Sequence, residues 1–269
     1  MKQTNKQAVK PKVLLYYDQI FQGVDPSKSV SGFWNEFFLL WPHVADIETR
    51  LKQLPGQKLL HIKPVVNNLV LHCVYIVRDD QHIKAVNALQ TLRGILNGLS
   101  CKGSGGFGDD LIDVFCSVAQ AGSLLELLFG RLCQFLVDDY PGILRELSLD
   151  FLLAVATLVE NINQNRLLEY LLLNTVFEPV IQILGTPSLR QVYGNEAILL
   201  LTLLVNYRKY DEVNPYIARL SILDDELALN GYSYVIATCF SGHNFKFNQQ
   251  LSLSEPKGML SSFTSAVSE

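Results

Sequence analysis

The sequence predicts an all-α protein, an armadillo/HEAT-like helical-repeat α-solenoid of about eleven helices. Three observations lead there. Apolar residues recur at helical spacing along almost the whole chain. The alternation and Val/Ile/Thr enrichment of strands are nearly missing from it. The segments also group into hairpins or triplets of roughly 40 to 50 residues, the repeat size of armadillo and HEAT arrays.

A polar, basic stretch over residues 1–11 precedes the first helix, VLLYYDQIFQ at 13–22, which Gly23 and the turn Asp25-Pro26-Ser27 close. Ser31 then caps an aromatic helix carrying Phe33, Trp34, Phe37, Phe38 and Trp41, and Pro42 ends it by removing an amide. These rings are more numerous than one face can bury, and core packing is the expected fate of most. Ile47, Leu51 and Leu54 mark a third helix, stopped by Pro55-Gly56. The segment 57–77 contains Pro64, which predicts a kink or a fresh helix start. A helix over 81–99 follows, and then the glycine-rich break at 101–109. Further helices are expected over 109–119, 123–137, 141–160, 166–184, 191–207, 213–221 and 225–240. The helical-repeat domain thus spans 12–243, and a serine-rich, mobile tail is expected over 244–269.

Of the 269 residues 49% are hydrophobic and 18% charged, a balance that excludes global disorder. A net charge of −4 offers no footprint for nucleic acid. The longest apolar runs weighed, 147–159 and 197–205, fall short of the about 20 residues a membrane span needs. No signal-peptide core follows the N-terminus. A cytoplasmic protein without a transmembrane segment is therefore expected. Cys73, Cys101, Cys116, Cys133 and Cys239 are odd in number and irregularly spaced, which predicts reduced core thiols.

Chemistry-bearing patterns are few. GSGGFG at 103–108 matches the dinucleotide-binding glycine pattern, but a helical segment precedes it where that site needs a strand. An inter-helix loop is the better reading. Asp79-Asp80, Asp109-Asp110, Asp138-Asp139 and Asp224-Asp225 each precede a predicted helix and read as caps, not as acid/base couples. His43, His61, His72 and His82 show no zinc spacing, and no nucleophile signature appears. No catalytic, metal or cofactor residues are expected, and the protein is read as a non-enzyme. The most distinctive segment is LLVNYRKYDEVNPYI at 203–217. Its Asn206, Tyr207, Arg208, Lys209 and Tyr210 are the candidate partner-binding residues, since tyrosine and arginine dominate binding hot spots. The alternative to a scaffold is a lipid or small-molecule carrier with an apolar cavity between helices.

YDQIF at 17–21, DPSK at 25–28, FWNEFFL at 33–39, VNALQTL at 86–92, NINQN at 161–165, LEY at 168–170, LLVNYRKYDEVNPYI and LSILDDELALNG at 220–231 form an ordered set of strings. In them the sequence resembles the N-terminal part of the armadillo-like helical domain-containing protein 3 family. The resemblance implies a cytosolic, Golgi-associated adaptor in Golgi maintenance and protein secretion. It implies association with an Arf guanine-nucleotide exchange factor and with phosphatidylinositol 4-kinase beta, and peripheral attachment to membranes through such partners. Family members are longer and carry a further C-terminal helical region, so the resemblance makes this chain a short form or fragment.

Overall fold

The computed structural model describes residues 10–100, 108–173, 176–210 and 214–254, with the backbone alone for 108–110 and 242–254. Among the described residues there are thirteen α-helices and no strand. Two lead in, α1 (Lys12–Ile20) and α2 (Phe33–Phe37). From there the chain runs in triplets, each a short helix followed by a hairpin. The first is α3 (Val44–Gln53), α4 (Gly56–Arg78) and α5 (His82–Ser100); the second is α6 (Gly108–Cys116), α7 (Val118–Val137) and α8 (Gly142–Ala156). The third is α9 (Leu167–Leu173), α10 (Phe177–Gly185) and α11 (Pro187–Asn206), after which come α12 (Pro215–Ser221) and α13 (Glu226–Ser254).

The hairpins stack in two layers. Helices α4, α7, α10 and α13 lie side by side in one, and α3, α5, α8 and α11 in the other, with α4 on α5, α7 on α8 and α10 on α11. A single apolar core threads between the layers. This is an all-α helical repeat of the armadillo kind, as the periodicity predicts. One helix departs from the pattern: α13 packs on both α10 and α11.

Close approach explains one of these contacts, that of α3 on α5. On α5, Gly94 and Gly98 present no side chain, so α3 settles onto them; a Cβ at Gly98 would stand 2.6 Å from Leu51 Cβ. Asn87 of α5 donates to the Phe38 carbonyl at 2.8 Å and ties down the chain entering α3. Pro64 neither breaks α4 nor starts it. The helix begins at Gly56 and carries Pro64 inside it, on the exposed side, where water can take up the carbonyl that the missing amide releases.

The aromatic segment is largely core. Phe33, Phe37 and Phe38 are buried, and Trp34 stacks on His72 with ring centroids 4.4 Å apart. Burial holds the His72 imidazole below its usual range, which favours the neutral ring in that stack. The helix itself stops at Phe37, five residues short of Pro42, and Trp41 stays 69% exposed.

The boundaries differ from expectation in instructive places. Residues 166–184 form two helices, α9 and α10, not one. Pro179 sits in the first turn of α10, where its missing amide costs nothing. Apolar residues on both sides of that break hide it in the pattern. Helix α7 starts at Val118, because Ser117 turns the chain with φ 58° and Asp113 accepts from the Val118 amide. Helix α13 runs on to Ser254, past the point where the tail was expected to begin. Of the acidic pairs, Asp225 caps, accepting from Ala228 N at 3.0 Å. Asp79 and Asp80 instead pair with Arg78 and Arg131, and Asp138 is the C-cap of α7. The side chains of Asp109 and Asp110, Cys101, and the loop over 103–107 lie outside the described residues.

Cys73, Cys116 and Cys133 are buried free thiols. Burial pushes Cys116 and Cys133 up to about 12 and Cys73 well above its usual value. The reactive species is the thiolate, so these three should be inert in the folded protein. A thiol-reactive dye at neutral pH should label them only after denaturant is added. Labelling before unfolding would show that the core opens locally.

Candidate functional site

The candidate residues fall where α11 ends. The helix stops at Asn206, whose side-chain amide turns back to the Thr202 carbonyl at 2.8 Å. Tyr207 then folds inward and is only 2% exposed. Arg208 takes φ 44°, in the left-handed region, and its amide donates to Asn163 Oδ1 at 2.8 Å. A left-handed arginine is uncommon, and here both ends of it are held. Its guanidinium pairs with Glu169 of α9 at 3.0 Å and lies 5.2 Å from the Tyr207 ring centre. Lys209 reaches back to Asn206 Oδ1 at 2.7 Å, its ammonium 5.0 Å from the centre of the Tyr210 ring. Tyr210 projects outward, 89% exposed.

What makes this turn rigid is Asn214. Its side-chain amide donates to the carbonyls of Leu204 at 2.8 Å, Val205 at 3.4 Å and Tyr207 at 2.9 Å. Its Oδ1 accepts from the amides of Tyr216 at 2.9 Å and Ile217 at 3.3 Å. One buried side chain therefore satisfies the free carbonyls ending α11 and the free amides opening α12. Asn165 does the same one triplet earlier. It donates to Val155 and Ala156, at the end of α8, and accepts from Leu167, at the start of α9.

Beside the turn lies a cleft of about 360 Å³, lined by Glu169, Leu172, Leu173, Tyr207, Arg208, Asn214 and Pro215. Leu173 is 83% exposed at its edge. The five candidate residues therefore divide. Lys209 and Tyr210 form the outer surface, Arg208 is committed to Glu169, Asn206 serves the turn, and Tyr207 belongs to the core. Tyr207 is the correction: helical spacing cannot tell which ring of a tyrosine pair folds in once the helix has ended. Leu172, Leu173 and Pro215 were missed, because a leucine-rich run reads as core until α9 is seen to end at the surface.

Among the described residues no group of three His, Cys, Asp or Glu side chains gathers to hold a metal ion. Among the described residues one helix, α4, is long and apolar enough to cross a membrane by length and composition. In the fold it is a core helix, packed by α5, α6 and α7 with Leu69, Val70, Cys73 and Val77 buried. The runs weighed from sequence overlooked it because Lys63, His72 and Arg78 interrupt it.

Sequence comparison bears on the same region. Over 266 residues, 98% of this chain, the sequence is 39% identical to armadillo-like helical domain-containing protein 3 of Xenopus laevis, covering 38% of that protein. The chain is a relative of armadillo-like helical domain-containing protein 3. The human protein of that name is 40% identical over 246 residues and the Danio rerio protein 38% over 247, each covered for 36% of its length. The chain thus spans little more than a third of the length of these relatives. No protein-family model matches the chain, and no solved structure matches it.

The strings on which the family resemblance rests acquire physical roles here. NINQN carries Asn163 and Asn165, which hold Arg208 and the α8–α9 junction. LLVNYRKYDEVNPYI runs from the end of α11 through the turn to Asn214 and the opening of α12. Residues 211–213 within it lie outside the described residues.

Proposed function

We propose that the chain is a non-catalytic protein-binding scaffold, and that Lys209 and Tyr210 are the centre of a partner contact. The observation that carries this reading is the turn after α11: a fully presented tyrosine held beside a cleft by a backbone that Asn163 and Asn214 fix. Presenting an aromatic side chain from a backbone already held in place lowers the ordering cost of binding, which is what an anchor residue requires. The name shared by the relatives supports a helical scaffold. From the family resemblance we further propose a cytoplasmic, Golgi-associated adaptor in Golgi maintenance and secretion. It would recruit an Arf guanine-nucleotide exchange factor, associate with phosphatidylinositol 4-kinase beta, and reach the membrane through these partners. The carrier reading draws no support from the clefts, which are edged by exposed residues such as Leu173 and Leu227.

The test is capture of the purified exchange factor by the immobilised chain. Lys209→Glu with Tyr210→Ser should weaken binding at least about tenfold, the loss of one hot-spot anchor. The melting temperature should move by less than about 2 °C, since both side chains are exposed. Arg208 is the wrong residue to change, because breaking its pair with Glu169 would disturb the turn. A stable double variant that still binds at full strength would remove this surface from consideration.

A further inference from the structure

A second groove, which shares no lining residue with the cleft beside the Tyr210 turn, lies between α10 and the segment joining α12 to α13. Its volume is about 430 Å³. The floor is apolar, made by Phe177, Ile181 and Leu223, and Leu227 stands on the rim 68% exposed. Ile222, next to Leu223, is 80% exposed. Leu227 is thus a large apolar side chain left in water at the edge of an apolar groove. The charged residues that line it are both acidic. Glu178 and Asp225 line the groove, and Asp224 and Glu226 flank Asp225 in sequence. Against these four carboxylates stands Arg219, paired with Glu178 at 2.7 Å and lying 5.7 Å from the centre of the Phe177 ring.

We propose that this groove binds a basic, apolar peptide segment of another protein, one that places a large aliphatic or aromatic side chain on Phe177 and Ile181 and a flanking lysine or arginine against Asp224 and Glu226. The apolar floor supplies the affinity, and the unbalanced carboxylates select cationic over anionic segments. A second copy of this chain fits less well, because its own groove rim would meet it with like charge.

The probe is a fluorescein-labelled amphipathic peptide of leucine and lysine, compared with its leucine–glutamate counterpart and read by fluorescence anisotropy against the whole chain. The leucine–lysine peptide should bind and the leucine–glutamate peptide should not. Leu227→Ser with Asp224→Lys and Glu226→Lys should weaken binding at least about tenfold. Asp225 is left intact because it caps α13. As control, Asp79→Lys reverses a carboxylate remote in sequence from the groove and should leave binding unchanged. Circular dichroism and melting temperature establish that the variants are folded. Equal binding of both peptides, or binding indifferent to the triple substitution, would overturn the proposal. So would a concentration-dependent dimer that Leu227→Ser dissolves, which would assign the groove to a second copy. Neither peptide result touches Lys209 or Tyr210, so the two surfaces stand or fall separately.

Discussion

Asn214→Ala is expected to cost about 3 kcal/mol of folding stability, among the largest losses from a single polar side chain in this protein. The substitution deletes the partner of three carbonyls and two amides at once, most of them buried at the junction of α11 and α12. A net hydrogen bond contributes only about 1 kcal/mol, but a buried group left unpaired incurs its desolvation cost as well. At about 2–4 °C per kcal/mol for a chain of this size, the melting temperature should fall by about 6–12 °C. Asn214→Asp separates the two halves of the clamp. It keeps the cap on Tyr216 and Ile217 while losing every donation to the α11 carbonyls, and a stability near that of alanine would locate most of the effect in those donations. Asn165→Ala should lose less, having fewer bonds to give up. The two losses should not simply add, because Asn163, two residues from Asn165, holds the Arg208 amide in the turn that Asn214 clamps, and Arg208 pairs with Glu169 of α9. A cost under about 1 kcal/mol for Asn214→Ala would mean that water takes the side chain's place.

Gly231→Ala should be nearly as damaging for the opposite reason, too much matter in place of too little. A Cβ at this position would stand 2.0 Å from the Leu184 carbonyl oxygen and 2.6 Å from Arg190 Nη1. The carbonyl is backbone and cannot swing aside, so α13 must lift off α10. Overpacking of this kind costs about 1–3 kcal/mol, and the better helix propensity of alanine recovers under about 1 kcal/mol of it. The sharpest control is the same exchange in α7. Around Gly122 and Gly130 nothing lies within 4 Å of the added Cβ, so alanine there should stabilise by about 0.5–1 kcal/mol. Chemical denaturation of the three variants would show one sign at Gly231 and the other at Gly122 and Gly130. Stabilisation at all three would mean that α13 does not sit against Leu184.

Which parts of this could be read from the residues follows from what each signal measures. Helical periodicity reports that a face is buried, and it located nearly every helix from α3 to α13. It does not report where one buried helix hands over to the next. The run over 166–184 is apolar on both sides of Asn174-Thr175, a pair too short to read as a break, so the handover was marked chiefly by Pro179, through a local rule about amide groups. The candidate turn was found through its mixture of tyrosine, arginine and lysine. Composition could not say that Tyr207 turns inward while Tyr210 turns out, because that choice is made by Asn163 and Asn214, each bonded across the junction. Asparagines that act as clamps look, in sequence, like ordinary turn formers. The acidic groove was hidden for a related reason. Glu178 lies in α10 and Asp225 in the segment before α13, and only the packing of α13 on α10 brings both to one groove.

The asparagine clamps also bear on how the molecule comes apart. In a stack whose units touch only their neighbours, cooperativity depends on the coupling between adjacent units more than on the strength of any one of them. Here part of that coupling is concentrated in a single side chain at each of two handovers, Asn165 and Asn214. Weakening one of them uncouples the units on either side, so that the distal end can melt while the rest persists. In a chain built this way, how sharply it melts, and not merely where, depends on two uncharged asparagines.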